Sequence, residues 1–488
     1  MRKAARLPSF LFLTAFLGTI LPGADSPKSR VNISYEQAQP ILTVIGDQLP
    51  SELKGRSPAE MAAIWPSWVT RHDQETRARL MRGDLDTLVN FLVLGTSFTL
   101  QRGLTGTEFE QLHVSPEAPR ALSDGSPAST IFFRRVYDLL RGLAHPENNE
   151  RLLFLAHLVE SQGYHPRKTY GAHPNLAERA RLKAFVLGNV VRVTKEQEGF
   201  QKTYQEALGP DGHTEDLAVV STLYRTRGLS LDTSLLPNLA LEESLKTMQT
   251  RNLLAPRSVR RVAVIGPGLD FADKAGGYDF YPQQTIQPYA LIDTLFRLGL
   301  ARRGELQVTT LDISLRVNDH LRRTRRRAVP GQPYVVQLPR NPQVLWYTAT
   351  SLYWRQFGDH IGRPVAPNKP PEAVGSVETR AVQISPDIVS LITPVDLDIE
   401  TEHLTLPPQE GFDLIVATNV FCYFGPFEQL LAVANTQSML RPGEFLLSND
   451  LLPMLPSGRM SSAGSLPVSY SDRPNDGDVI VWYQWSPN

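Results

Sequence analysis

Cysteine is almost absent from this 488-residue chain. Cys422 stands alone, so neither an intramolecular disulfide nor a cysteine-based zinc site holds the fold together. An excess of charge of either sign is lacking too, with 50 Lys plus Arg against 50 Asp plus Glu. No global field therefore draws the chain to nucleic acid or an anionic membrane, and the partner it suggests is a small molecule or a protein. No stretch reaches the ~18 uninterrupted apolar residues of a spanning helix. There is no P-loop, no Gly-x-Ser-x-Gly elbow and no Cys/His pair for covalent catalysis. His145, His157, His165 and His173 have neither i, i+4 spacing nor a following Glu, so no metal is expected.

The amino terminus has the layout of a secretory signal peptide over residues 1–24. Arg2, Lys3 and Arg6 precede the uncharged run Phe10 to Leu21, then Pro22-Gly23-Ala24 and the first acid, Asp25. This predicts export to a periplasm or beyond; with a different start codon the chain would be cytoplasmic. Oligomeric state is not legible in the sequence.

Residues 30–250 have a helical period and predict a mostly α-helical domain. Ser57-Pro58-Ala59-Glu60 has the spacing of a capping box with Pro at the first helical position. Further helices are expected over Asp86 to Leu94, Thr130 to Leu143, Glu150 to Gln162, Leu176 to Leu187 and Lys195 to Leu208. Residues 255–488 read differently. Val262 to Ile265, Gln307 to Leu311, Val389 to Val395, Asp413 to Ala417 and Phe445 to Leu447 are short buried strands alternating with helices, which predicts an α/β fold with a parallel sheet. Pro467 to Tyr470 and Val479 to Trp485 flank a turn-rich segment and predict a closing antiparallel hairpin.

Four features carry chemistry. Val262 to Ile265 ends in Gly266-Pro267-Gly268, a turn that lets a ligand approach the backbone closely. Phe271 stands where a dinucleotide fingerprint would place its third glycine, which disfavours a nicotinamide or flavin oxidoreductase. Asp312 closes the next strand, where a carboxylate can take both ribose hydroxyls or simply cap a helix. Asp396 and Asp398 close a third strand, where one carboxylate could accept from an adenine amine. Gly411 to Ala417 is a strand followed by Thr418-Asn419-Val420-Phe421-Cys422-Tyr423-Phe424, a helix and Leu440-Arg441-Pro442-Gly443.

In this order the elements resemble the class I S-adenosylmethionine-dependent methyltransferases, and Asn419-Val420 with Tyr423-Phe424 is most similar to the chemotaxis-receptor methyltransferase branch. The resemblance spans about 257–485. It implies a Rossmann-like seven-stranded sheet and S-adenosylmethionine as cofactor, with Gly266 and Gly268 against its methionine part. Asp312 would then bind the ribose, Asp396 or Asp398 the adenine, and Asn419 and Val420 would lie beside the methyl donor, with Phe421 or Tyr423 covering the pocket. The acid such proteins carry two positions before the first glycine is Val264 here, and Asp270 is the candidate substitute.

Two insertions enlarge this half, at 270–285 and 328–375. The second carries Trp346, Tyr347, Tyr353, Trp354 and Phe357, either a lid over the site or a helix packed on the helical half. Methyl transfer is an in-line displacement in which a protein positions the acceptor and, where needed, removes a proton; Asp279, Tyr281 and Tyr423 are the candidate bases. The competing reading is a non-catalytic exported binding protein that keeps a degenerate form of the fold. Arg322, Arg323, Arg325, Arg326 and Arg327 read as a solvated helix end or a docking patch for an anion.

Overall fold

The computed structural model describes residues 29–110, 112, 126–207, 228–271, 277–455, 458–473 and 476–486, so the signal-peptide expectation for 1–24 lies outside the described residues. The chain opens with β1 (Ser29–Asn32) and α1 (Tyr35–Val44), whose Ser34 and Gln37 form a capping box. Then come α2 (Pro58–Leu94), α3 (Gly106–Glu110), α4 (Pro127–Ala144), α5 (Glu150–Ser161), α6 (Leu176–Ala207) and α7 (Leu236–Thr250).

The expected Ser57 box caps α2, with Glu60 answering from the third position. Expected separate helices merge. Asp86 to Leu94 is the end of the 37-residue α2, because nothing between Pro66 and Gly95 breaks the pattern. The stretches near 176–187 and 195–208 are one helix, α6, since Gly188 is only a weak break.

The second half contains β2 (Arg261–Ile265), α8 (Gln287–Arg297), β3 (Gln307–Asp312), α9 (Leu315–Ala328), β4 (Tyr334–Arg340), α10 (Thr348–Gln356), β5 (Gly362–Val365) and β6 (Glu378–Ile384). It continues with α11 (Pro386–Ser390), β7 (Ile392–Asp396), β8 (Glu402–Thr405), β9 (Phe412–Ala417), α12 (Pro426–Met439), β10 (Leu440–Ser448), β11 (Met460–Ser469) and β12 (Gly477–Trp485).

Seven strands form one sheet in the order β11-β12-β10-β9-β2-β3-β7. β2 pairs in parallel with both β3 and β9, β7 extends one side and β10 the other, and β12 and β11 close the far edge antiparallel. This is the expected α/β sheet with its terminal hairpin. β2 and β3, and β2 and β9, lead away on opposite sides, so the crevice above β2 is a topological switch point where open sheets bind ligands.

Three boundaries differ from the sequence reading. Val389 lies in α11, which Pro386 starts, so the third strand begins at Ile392. β11 has ten residues and reaches back to Met460; as an edge strand it is largely exposed and offers little hydrophobic alternation to read. The second insertion folds into a three-stranded antiparallel sheet, β4-β6-β5, which runs to Ile384. Tyr353 and Trp354 of its helix α10, and Phe357 just after it, bury in the same apolar cluster as Leu245 and Met248 of α7 and Trp482 of β12.

The first residues are packed on the sheet's helices. β1 pairs antiparallel with β8, and Trp65 and Trp68 of α2 join Phe427, Leu430 and Leu431 of α12 in one cluster. Farther along α2, Phe91 meets Phe271 edge to face with centroids 5.4 Å apart. The residue that replaces a third glycine is thus a plug into the helical layer, at 1% exposure. Among the described residues no helix is long and apolar enough to cross a membrane.

Candidate functional site

β2 delivers the glycine turn to the switch point. Gly266 and Gly268 both have positive φ, +63° and +71°, which a side chain rarely tolerates. A Cβ on Gly266 would stand 2.7 Å from Val420 Cγ2, and one on Gly268 would stand 2.8 Å from the Leu231 carbonyl. The turn is therefore roofed by Val420 on one side and by the segment before α7 on the other, tied down where Leu269 N–H donates to Leu231 O at 2.6 Å.

A small, partly open cavity lies beside this turn, lined by Gly266, Gly268, Asp312, Asp398, Asn419, Val420 and Tyr423. Four sequence signals far apart in the chain thus converge. Asp312 does not cap α9; Ser314 does, while the Asp312 Oδ1 accepts from Ser314 N–H at 2.7 Å. Burial pushes the Asp312 carboxyl up to about 7 against the opposing pull of that hydrogen bond, and the charge of Asp396 adds to the rise.

The two acids at the end of β7 separate. Asp396 Oδ1 accepts from Arg77 Nη1 at 2.9 Å and its carbonyl accepts from Arg30 Nη1 at 2.7 Å, and it does not line the cavity. Asp398 does. It is 1% exposed, its Oδ1 accepts from Glu400 N–H at 2.9 Å, and its Oδ2 is buried with no hydrogen-bond partner. Burial, then the nearby charge of Glu400, pushes its carboxyl well above the usual range. Glu400 is in turn held by His72 of α2 at 2.6 Å. Burial alone would lower the His72 ring, but Glu400 outweighs it and lifts it to about 9.

Asn419 is one of the few non-glycine residues with positive φ, +57°. Its strained backbone is held reciprocally: Asn419 N–H donates to Asn449 Oδ1 and Asn449 Nδ2 donates to Asn419 Oδ1, each at 2.8 Å. Val264 is fully buried in the central core and lines neither this cavity nor the larger one beside it. An acid nonetheless lines this cavity from elsewhere: Asp232, on the segment before α7, which the sequence reading missed. A readable signal was Gly83 in the middle of α2, where a Cβ would fall 1.9 Å from Leu229 O and expel that segment.

A second, larger cavity of about 720 Å³ adjoins the first and shares Ser230, Asp232, Gly266, Thr418, Asn419 and Tyr423 with it. Asp270, Tyr281, Cys422, Trp346 and Trp354 line it as well. Asp270 Oδ2 accepts from the Tyr281 hydroxyl at 2.8 Å and from Gln284 Nε2 at 3.3 Å. Asp279 is not brought to either cavity. Its carboxylate accepts from the backbone N–H and hydroxyl of both Thr96 and Ser97, at 2.6 to 3.0 Å, so this candidate base is a structural clamp between the two halves. The arginine run ends α9, where Arg325, Arg326 and Arg327 complement the helix dipole.

Fold and site together define an α/β protein with a seven-stranded, mostly parallel sheet, a closing antiparallel hairpin and a crevice at the carboxyl ends of its parallel strands. No family model matches the chain, and no curated protein matches it. Among solved structures it is similar to the glycopeptide N-methyltransferase MtfA complexed with S-adenosyl-L-methionine, at 12% identity over 53% of this chain and 97% of that one, with a TM-score of 0.26. It is also similar to the CurJ carbon methyltransferase (12% identity, 88% and 98% covered, TM-score 0.22) and to MtNAS in complex with MTA and tNA (10%, 73% and 99%, 0.22).

Proposed function

We propose that this chain is an S-adenosylmethionine-dependent methyltransferase acting on an acceptor held in the larger cavity. The observation that carries the reading is the convergence of Asp312 and Asp398 on the cavity beside the Gly266-Gly268 turn, with Asp398 Oδ2 buried and unpaired. A buried carboxyl oxygen without a partner costs stability unless a ligand supplies one, and the exocyclic amine of adenine is a donor that would favour the ionised, accepting form of Asp398. The glycine cradle, the ribose acid and the amine acceptor fit the cofactor's parts in order.

Asp312 would hold the ribose hydroxyls, Asp398 the adenine amine, and Asp232 the ammonium of the methionine part in place of the acid absent at Val264. Bound there, the cofactor supplies an electrophilic methyl group. The protein's own residues do the rest: Asn419 and Tyr423 line both cavities and stand between them, Val420 lines the cofactor cavity alone, and Tyr281, hydrogen-bonded to Asp270, stands in the acceptor cavity to receive a proton. The first cavity, at about 90 Å³, is narrower than the ~300 Å³ typical of small-molecule sites. Cofactor entry therefore requires Leu229 to Asp232 to move outward, so hydrogen exchange in 228–234 should change on binding.

The similarity of 419–424 to the chemotaxis-receptor branch supports no more than this site placement, and export remains a proposal resting on the pattern of residues 1–24. A thermal-shift assay tests the function: S-adenosylhomocysteine should raise the melting temperature of the full chain, and at the same concentration raise that of Asp398→Ala clearly less. An equal shift in both proteins would remove Asp398 from the site.

A further inference from the structure

Resting on the methyltransferase reading, we infer that the acceptor is a small organic cation, an amine carried on a flat apolar body. The larger cavity is charged one way. Among its described lining residues Asp232, Asp270, Asp450 and Asp476 face a single cation, Arg473. S-adenosylmethionine carries one net positive charge at neutral pH, so the wall keeps surplus negative charge with the cofactor bound. Such a surplus in a partly enclosed site attracts a cation and repels a carboxylate.

The hydrogen-bonding chemistry of the wall points the same way. Asn238 lines the cavity at 3% exposure; its Nδ2 donates to Ser234 O at 2.9 Å, and its Oδ1 is buried with no donor. The bond to Ser234 fixes which atom is oxygen, so the vacancy is for an N–H or O–H. Asp450 adds acceptor character: its Oδ2 takes Phe421 N–H at 3.1 Å, and burial lifts the carboxyl to about 6, so it is ionised at neutral pH. An ammonium supplies N–H donors and charge together.

The same cavity also has aromatic lining. Trp346 and Trp354 line it, with Arg340 over the two rings at 5.0 Å from each centroid. Arg340 is itself paired with Glu378 and is not part of the lining, so what the rings offer the cavity is hydrocarbon surface. A ring or fused ring fits that surface while its amine reaches the acids.

The chemistry balances without another reagent. The bound ammonium gives one proton to a carboxylate or through Tyr281 to Asp270, which frees the nitrogen lone pair. The nitrogen then forms one bond to the methyl carbon as the carbon–sulfur bond breaks, sulfur keeping that electron pair.

The test uses the full chain saturated with S-adenosylhomocysteine and two matched probe pairs: tryptamine with indole-3-propionate, and phenethylamine with 3-phenylpropionate. Calorimetry should show each amine binding at least about tenfold more tightly than its acid. Asp450→Asn should weaken the amines at least about fivefold and leave S-adenosylhomocysteine affinity unchanged. If Asp450→Asn loses the nucleoside too, Trp346→Ala provides the second arm and should weaken both amines with the nucleoside retained. Equal affinity within a pair, preference for the acid, or no binding by any of the four at about 10 mM overturns the inference. Failure of S-adenosylhomocysteine itself to bind the wild type would instead strike the cofactor reading.

Discussion

Arg77 of α2 donates to Asp396 at 2.9 Å, and this ion pair decides which of two adjacent strand-end acids is left for a ligand. The paired side chains are both about a quarter exposed, so solvent screens them and the pair contributes at most ~1 kcal/mol to stability. Asp396→Asn should lower the melting temperature by a degree or two at most, on the order of that energy, and leave S-adenosylhomocysteine affinity within about threefold. Asp398→Ala should weaken the same ligand by about 10- to 100-fold, the value of a hydrogen bond to a buried charge-bearing group. The two affinities, measured side by side, check the division of roles; a larger loss from the Asp396 substitution would reverse it.

Asp312 links binding to pH. Its carboxyl, held at about 7 by burial, binds a proton below that pH in the empty chain, and a protonated acid accepts ribose hydroxyls poorly. S-adenosylmethionine affinity should therefore fall as pH drops from 8 to about 6, and the fall should flatten in Asp312→Asn. Stability runs the other way. A carboxyl whose folded value lies above its unfolded value of ~3.9 contributes stability that is full at low pH and lost as pH rises through about 7. The neutral Asp312→Asn chain should thus melt above the wild type at pH 8, with the gap closing toward pH 4. A constant gap across that range would count against a buried, titrating Asp312.

The two turn glycines should respond differently to a second substitution. Gly266→Ala drives a Cβ against the Val420 side chain, which can be trimmed, whereas Gly268→Ala drives one against backbone at Leu231. Each should cost ~1–3 kcal/mol through strain and displacement. Adding Val420→Ala should recover part of the stability lost by Gly266→Ala and none of that lost by Gly268→Ala. Denaturant midpoints of the single and double variants would show whether the recovery is selective.

Asp279 and Tyr281, close in sequence, should separate in kind. Asp279→Ala leaves Thr96 and Ser97 without the acceptor of four hydrogen bonds in a buried site, and should destabilise by ~3 kcal/mol or more. Tyr281→Phe removes a single hydroxyl bond to Asp270 and should cost ~1 kcal/mol, with cofactor affinity kept and turnover lowered about 100-fold. Unfolding curves and single-turnover rates with a found acceptor check both; a fully active Tyr281→Phe would exclude it as the base.

The parallel sheet was legible because β2 and β9 are buried on both faces and carry the apolar runs Val262 to Ile265 and Leu414 to Ala417, while β3, with Thr309 and Thr310 inside it, showed through Val308 and Leu311. Gly266, Gly268, Asp312 and Asn419 were legible for a related reason: each sits at a strand end, where chain order and spacing reveal position. Asp398 and Asp396 were not separable, because the difference between them is made by Arg77, more than 300 residues away. Asp232 left no local mark at all, since its place depends on Gly83 admitting the Leu229 backbone against α2. The β4-β6-β5 sheet escaped notice because its prolines and short strands look like a loop, and its pairing is visible only in three dimensions.

Everything proposed for this chain depends on one ligand entering the crevice beside Gly266 and Gly268. Calorimetric titration of the purified full chain with S-adenosylmethionine is the most direct test. The account predicts one site per chain with micromolar affinity, abolished in Asp312→Ala. Absence of heat with both S-adenosylmethionine and S-adenosylhomocysteine at about millimolar concentration would contradict it.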